Sequence, residues 1–428
     1  MKKGRLQFLA IILLVFTLIL AACGSSSGGG SSSGGSGSGS SSSGSSSGAS
    51  GGSGSSGGGK DNTQGVTDTE IVIGNFTAHT GPVAQFAATA YGAEVYFNKV
   101  NEEGGINGRK IRFITYDDQY QPSQTVAVVK RLLEQDKVYA LVSAMGTSTN
   151  SAVRPMTVKL GIPVLPHSGA NEFVDPPIRN YFGVVSNYTI EAKIFVKYLH
   201  ETLNAKRVAV FYQNDDVGKL PLRVLQEELP GLGIEIAEAI EHSSTDVDYS
   251  SAAIKIKEAK PDAILAFTNQ TSGASFWREY KNIGGEGQYI TLSSVGQGSE
   301  VYKLVGDIWE GTIGVNAYHP LDDTSNPKVK EFLDHFLKAY PNANPDIGKI
   351  GWSAAQITVE ALKRAGDDLS WDNFIRQMET IQNWDGSLLL NVYYSPTFRY
   401  GPTGFYLTQF RNGKTEVISD VIKYEPES

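Results

Sequence analysis

The chain has 428 residues, of which 37 are Lys or Arg and 45 are Asp or Glu, for a formal net charge of −8. That balance, with no basic stripe interleaved with aromatics, argues against a nucleic-acid partner. The single cysteine, Cys23, leaves the folded part without disulfides, a thiol nucleophile or cysteine metal ligands, so the fold must rest on packing.

Lys2, Lys3 and Arg5 precede an apolar run from Leu6 to Leu20, which ends in Leu20-Ala21-Ala22-Cys23. A basic start, a short apolar stretch and small residues before a cut describe a signal peptide over 1–22. About 15 apolar residues fall short of the roughly 20 needed to cross a bilayer. The Leu-Ala-Ala-Cys end resembles the bacterial lipobox, so the mature chain is expected to begin at a lipidated Cys23, anchored to a membrane at the cell surface or in the periplasm. Residues 23–66 read as a tether: Gly24 to Gly59 is Gly and Ser apart from Ala49. Such a coil reaches on the order of 30 Å. Removing Lys2, Lys3 and Arg5 from the 37 basic residues leaves 34 against 45 acidic in the mature chain.

The remainder exceeds what one core usually serves, so two lobes are expected. From Glu70 short apolar, β-branched runs alternate with helical periodicity, the pattern of parallel sheets covered by helices, an α/β fold. Strands are expected at Ile71–Ile73, Ile111–Tyr116, Val138–Val142, Pro163–Leu165, Val208–Tyr212, Ala263–Phe267 and Tyr289–Leu292. Helices are expected over Val83–Val100, with Pro82 at its first position, and over Ser123–Glu134, which puts Val126, Val129, Leu132 and Leu133 on one side. A second βα series opens with a helix over Glu191–Leu203. The helices Pro327–Tyr340, Gly351–Ala365 and Trp371–Ile381 are counted with the first lobe, and strands Gly404–Phe410 and Glu416–Ile422 with the second. The boundaries are 67–187 and 317–401 for lobe 1, and 188–316 and 402–428 for lobe 2. Ligands of such sheets sit beyond the carboxyl ends of the strands.

Asn101-Glu102-Glu103-Gly104-Gly105-Ile106-Asn107-Gly108-Arg109-Lys110-Ile111 is followed by Tyr116-Asp117-Asp118 and Pro122. Upstream stand Ile73-Gly74 and Thr80-Gly81-Pro82, and downstream Asp136-Lys137-Val138, Ala152, Ile162-Pro163, Ser168-Gly169-Ala170 and Leu362. In this order and spacing the residues resemble the bacterial branched-chain amino acid binding proteins, from about Glu70 to Val421. The resemblance implies a type I periplasmic-binding-protein fold, two Rossmann-like lobes joined by three crossing segments that close on a small ligand. It also implies delivery of that ligand to the permease of an ABC importer, with no cofactor and no covalent chemistry.

By the same resemblance, Gly146-Thr147-Ser148 and Ser168-Gly169-Ala170 hold a ligand carboxylate through hydroxyls and backbone amides. Thr147–Ser151 open a helix whose N-terminal amides suit an anion, although Ser148 or Thr149 could equally cap it. The aromatic that packs on the ligand falls at Phe86. In the second lobe Val217 and Asn269 stand where the family has aromatics, and Ser293 where it has the acid that pairs with the ligand ammonium. A buried ammonium without a counter-charge is expensive. Asn269, Gln270, Ser293 and Ser294 therefore point to an amide, a hydroxylated compound or an acid held by its carboxylate alone. Tyr188 lies on the expected hinge, and His79 and His167 on cleft loops; His200, His242, His319 and His335 show no paired metal spacing. Trp352 reads as core, and Asp117-Asp118 as turn and cap residues.

An enzyme is the rival from another class, but Gly-x-Ser-x-Gly, Gly-Lys-Ser/Thr and His-Glu-x-x-His motifs are absent from the folded region. A surface sensor signalling through a receptor would use the same cleft, and an adhesive lipoprotein would use none. A tethered monomer is the simplest arrangement.

Overall fold

The computed structural model describes residues 63–424 apart from Pro82, Ser244, Thr245, Gln297 and Gly298. The expectations placed on residues 1–62, Cys23 among them, and on Pro82 fall outside the described residues. Strand β1 (Glu70–Thr77) is followed by α1 (Ala87–Glu102), β2 (Lys110–Asp117), α2 (Pro122–Glu134), β3 (Ala140–Met145), α3 (Thr147–Leu160) and β4 (Val164–His167). These strands form a parallel sheet in the order β2-β1-β3-β4. The second series runs α4 (Tyr188–Lys197), β5 (Arg207–Gln213), α5 (Asp216–Glu228), β6 (Glu235–His242), α6 (Ser250–Glu258), β7 (Ala263–Phe267), α7 (Gln270–Asn282), β8 (Gln288–Thr291), α8 (Ser299–Val305) and β9 (Ile313–Asn316).

The chain then returns to the first sheet with α9 (Pro327–Ala339), α10 (Pro345–Ala365) and α11 (Trp371–Met378). After the hairpin β10 (Val392–Ser395) and β11 (Phe398–Pro402) it ends in β12 (Gly404–Arg411), β13 (Lys414–Val417) and β14 (Ile422–Lys423). The second sheet has the order β13-β12-β9-β8-β7-β5-β6, with β14 on β12. It is parallel from β6 to β9, whereas β12 joins β9 antiparallel. A right-handed parallel series needs helices on both faces, and β1, β3 and β7 accordingly bury almost every residue.

Several boundaries differ from the expectation for local reasons. Strand β3 starts at Ala140 rather than Val138, because Val138 N–H is spent on Leu132 O at the end of α2 and Lys137 takes φ 54°. Helix α10 starts at Pro345 rather than Gly351, capped by Asn344, whose side chain accepts from Asp346 N. Helix α4 begins at Tyr188 rather than Glu191, because Asn187 caps it. The strand expected over Glu416–Ile422 divides into β13 and β14. Between them Ser419 Oγ accepts from Leu407 N in place of a backbone carbonyl. Edge strand β6 gives no period-2 signal, because Glu235, Glu238 and Glu241 recur every third residue, and it is largely half-exposed.

Gly351 on α10 and Gly92 on α1 are what let the two helices touch. Each admits the backbone of the other helix: a Cβ on Gly92 would meet Gly348 O, and one on Gly351 would lie 2.8 Å from Thr89 C and 2.9 Å from Ala93 N, with Thr89 O closer still. Trp352, fully buried beside Tyr96 and Phe332, fills the adjoining core. Gly351→Ala is expected to cost about 1–3 kcal/mol by overpacking, read as a lower urea midpoint at unchanged slope.

Candidate functional site

The carboxyl ends of both sheets open on one cavity of about 650 Å³, inside the range of roughly 300–1,000 Å³ typical of small-molecule sites. On the first sheet's side the turn after β3 is set by Gly146, at φ 98°, which is followed at once by α3. Gly146, Thr147 and Ser148 line the cavity, so the amides of the first turn of α3, which have no intrahelical acceptor, face its space. No side chain caps this helix: Thr149 Oγ donates back to Met145 O, and Thr147 Oγ shares a hydrogen bond of 2.8 Å with Ser168 Oγ.

Tyr120 closes this wall by packing its ring on Gly146. Gln119 and Tyr120 both have positive φ, 54° and 59°, a costly conformation for residues with side chains. Asp117 and Asp118 hold it: Asp117 Oδ1 accepts from Gln119 N at 3.0 Å, and Asp118 Oδ1 from Tyr120 N at 2.9 Å. Turn duty is thus what these carboxylates perform. Burial pushes the Tyr120 phenol up to about 12. Phe86 lines the cavity with its ring 5.9 Å from that of His167. Burial lowers His167 to about 4, so this imidazole is neutral at ordinary pH.

The second sheet contributes helix starts of its own. Asn269 caps α7, its Oδ1 accepting from Ser272 N at 3.0 Å, while its Nδ2 donates to Gln213 Oε1 at 2.9 Å. Asp215 caps α5 by accepting from Val217 N at 3.0 Å, which leaves Val217 facing the cavity. Ser294 Oγ donates to Thr268 O at 2.7 Å. At the floor stand Tyr188, first residue of α4, and Tyr318, whose hydroxyl donates to Val184 O at 3.0 Å. Beside Tyr318, the Lys349 ammonium lies 5.3 Å from its ring centroid and 2.9 Å from Asp346 Oδ1.

Of the twelve expected ligand residues, Phe86, Gly146, Thr147, Ser148, Tyr188, Val217, Asn269 and Ser293 line the cavity. Four do not. Ser168 sits behind Thr147, and its Oγ also accepts from Ala170 N at 3.2 Å. Gly169 is pressed against Ser186 O and the Tyr188 ring, and Ala170 is fully buried. His79 is drawn off the cavity: its Nε2 bonds Thr115 Oγ at 2.9 Å and its ring lies beside Tyr91. Burial lowers its pKa as well.

The sequence reading missed Tyr120, Gln213, Tyr318, Lys349 and Asp346, all of which line the cavity. The acid it found wanting at position 293 is also present in space. Glu191, fully buried on α4, accepts from Ser293 N at 2.9 Å and from the Ser293 hydroxyl. Only the spacing after the Asn187 cap marked it, and that spacing suits an ordinary first-turn acid.

The cavity lies between the two sheets and is walled by helix N-termini from both, and the sequence over residues 70–415 matches the family described as periplasmic binding protein. The chain belongs to the periplasmic binding protein family. Among curated relatives, this binding protein is 22% identical over 289 residues to the leucine-, isoleucine-, valine-, threonine- and alanine-binding protein of Pseudomonas aeruginosa, spanning 67% of this chain and 76% of the relative. Solved structures share its fold. A branched-chain amino acid ABC transporter protein from Thermus thermophilus with bound valine superposes with TM-score 0.75 at 19% identity, over 84% of this chain and 98% of that one. A fatty acid ABC transporter substrate-binding protein from Thermomonospora curvata gives 0.74 at 22%, over 85% and 94%. In this binding protein no helix among the described residues is long and apolar enough to cross a membrane.

Proposed function

We propose that this chain is the solute-binding component of an ABC-type importer, capturing a small polar ligand between two lobes and presenting the closed form to a permease. The reading rests on the cavity into which both sheets direct helix N-terminal amides and hydroxyls, since a ligand touching both sides stabilises closure. Lobe 1 comprises 67–187 and 317–401, and lobe 2 comprises 188–316 and 402–428. Eight wall residues, Phe86, Gly146, Thr147, Ser148, Tyr188, Val217, Asn269 and Ser293, hold the ligand, with Tyr120 and Lys349 beside them. Relatives named for leucine, isoleucine, valine, threonine and alanine, and a neighbour holding valine, support amino acids and similar carboxylates as the first candidates. A lipid on Cys23 and the Gly/Ser tether keep the monomer within reach of its permease, and the protein performs no chemistry on its cargo.

Thermal unfolding of ligand-stripped 60–428 against amino acids, aliphatic and aromatic carboxylates, amides and polyols tests this. A ligand at about 1,000 times Kd adds about 4 kcal/mol of stability, which moves the midpoint by several degrees. No shift across the panel would overturn the reading. Loss of cellular uptake of the same compound on deletion supports the importer role, whereas unchanged uptake assigns the cleft to sensing.

A further inference from the structure

Glu191 is a buried acid that the binding reading leaves without a task. It is fully buried, and among the described residues no Lys, Arg or His is paired with it. Its neighbours are neutral: both carboxylate oxygens accept from Ser293, one from the amide at 2.9 Å and one from the hydroxyl. The Ser186 hydroxyl, outside hydrogen-bond geometry, lies beside the same carboxylate and favours its charged form. The other titratable groups facing it are the phenols of Tyr188, on its own helix, and Tyr318, on the crossing segment, with Asp215 beyond Tyr188. Burial pushes both phenols far above their ordinary value, so neither offers a charge. Lys349 is occupied by Asp346.

Two consequences follow for the wall. A hydroxyl has one hydrogen to donate, and an ionised carboxylate can only accept, so Ser293 spends its donor on Glu191. Its remaining lone pairs serve the cavity that Ser293 lines. A negative charge stripped of water and counter-ion is also unfavourable until a cation approaches. We propose that Glu191 is a positioning residue that makes Ser293 a hydrogen-bond acceptor and selects ligands carrying a cationic nitrogen, such as an ammonium, at this wall. This rests on the binding reading above and supplies from α4 the counter-charge that position 293 itself does not carry.

The same carboxylate couples binding to pH. Burial raises Glu191 from its ordinary 4.5 to about 7. In the unfolded chain it releases its proton first, so on its account the empty protein loses stability as pH rises from 4.5 to about 7. A bound ammonium favours the ionised form. Its apparent Kd is therefore constant well above pH 7 and rises by up to tenfold per unit as pH falls below it.

The experiment compares matched probes by calorimetry on ligand-stripped protein between pH 5 and 8.5: leucine and alanine against their deaminated counterparts 4-methylpentanoate and propionate. Wild type is expected to prefer the ammonium-bearing members. In Glu191→Gln that preference falls at least tenfold and the pH dependence flattens, while affinity for the deaminated acids hardly changes. Glu191→Asp restores part of both. Should Glu191→Gln not fold, Ser293→Ala removes the acceptor with Glu191 in place and loses the same preference. An equal preference in wild type and variants, or wild type favouring the deaminated acids, overturns the proposal. So does binding of neither probe series, in which case the wider panel above decides separately whether the binding reading stands.

Discussion

Gly146→Ala is expected to raise the Kd of the bound ligand at least 100-fold and to cost about 2–5 kcal/mol of stability. Two penalties add at this position. The backbone has φ 98°, a region where a side chain costs about 1–3 kcal/mol. A Cβ would also lie 2.7 Å from Thr149 Oγ and 3.0 Å from Tyr120 Cδ2, with Cε2 of the same ring closer still. The ring cannot yield cheaply, because Tyr120 is itself held at positive φ by Asp118. Relief must come from rotating the start of α3, which removes its amides from the ligand, or from displacing Tyr120 into the cavity. Either route loses binding, and 100-fold is about 2.7 kcal/mol. Gly161→Ala is the control. Its φ is 80° but nothing lies within 4 Å of an added Cβ, so it should show the backbone penalty alone and bind normally. Calorimetric Kd values and urea midpoints for both variants check this; normal binding by Gly146→Ala would remove α3 from the site.

Glu379→Ala is expected to destabilise the protein by about 3–5 kcal/mol without touching the cavity wall. Arg399 is 2% exposed and bonds Glu379 Oε1 at 2.5 Å, with its guanidinium 4.4 Å from the Phe182 ring centroid. Burial lowers its pKa, yet a guanidinium stays charged in practice. Its Nε and Nη1 have no other partner, so truncating Glu379 leaves a buried charge uncompensated, the costly way to break such a pair. Replacing both residues with apolar ones, as in Arg399→Met with Glu379→Leu, should recover most of the loss. The backbone of Arg399 accepts from Gly183 N at 2.8 Å, and Tyr394 hydroxyl donates to Gly183 O at 2.6 Å. The loss therefore falls where the chain passes between sheets, and it is read as a lower urea midpoint. A loss under 1 kcal/mol would show the pair to be solvated.

The alternation of Ile71–Ile73, Ile111–Tyr116 and Ala263–Phe267 with amphipathic stretches was enough to read the parallel α/β layout, and the strand-end rule directed attention to loops that line the cavity. Where backbone alone decides, as at Gly146 to Ser148, the residues expected on those loops do line the cavity. Where side-chain direction decides, some expected residues do not reach the cavity. His79 and Ser168 lie on expected loops, yet one turns to Thr115 and the other backs Thr147.

What the sequence determined by itself was carried by neighbours along the chain: the class of most segments, their buried faces and the order that marks the family. Periodicity and turn chemistry are local, so they survive without a structure. Only the tertiary structure decided which distant groups share one site. Ser293 and Glu191 stand 102 residues apart, and their hydrogen bonds exist because α4 is laid against the end of β8. Lys349 reaches the Tyr318 ring from the start of α10, ahead of Gly351, where the helix was expected to begin. The charge balance of the wall is a property of packing across the chain, since burial, and not residue type, sets what an acid costs and what it will bind.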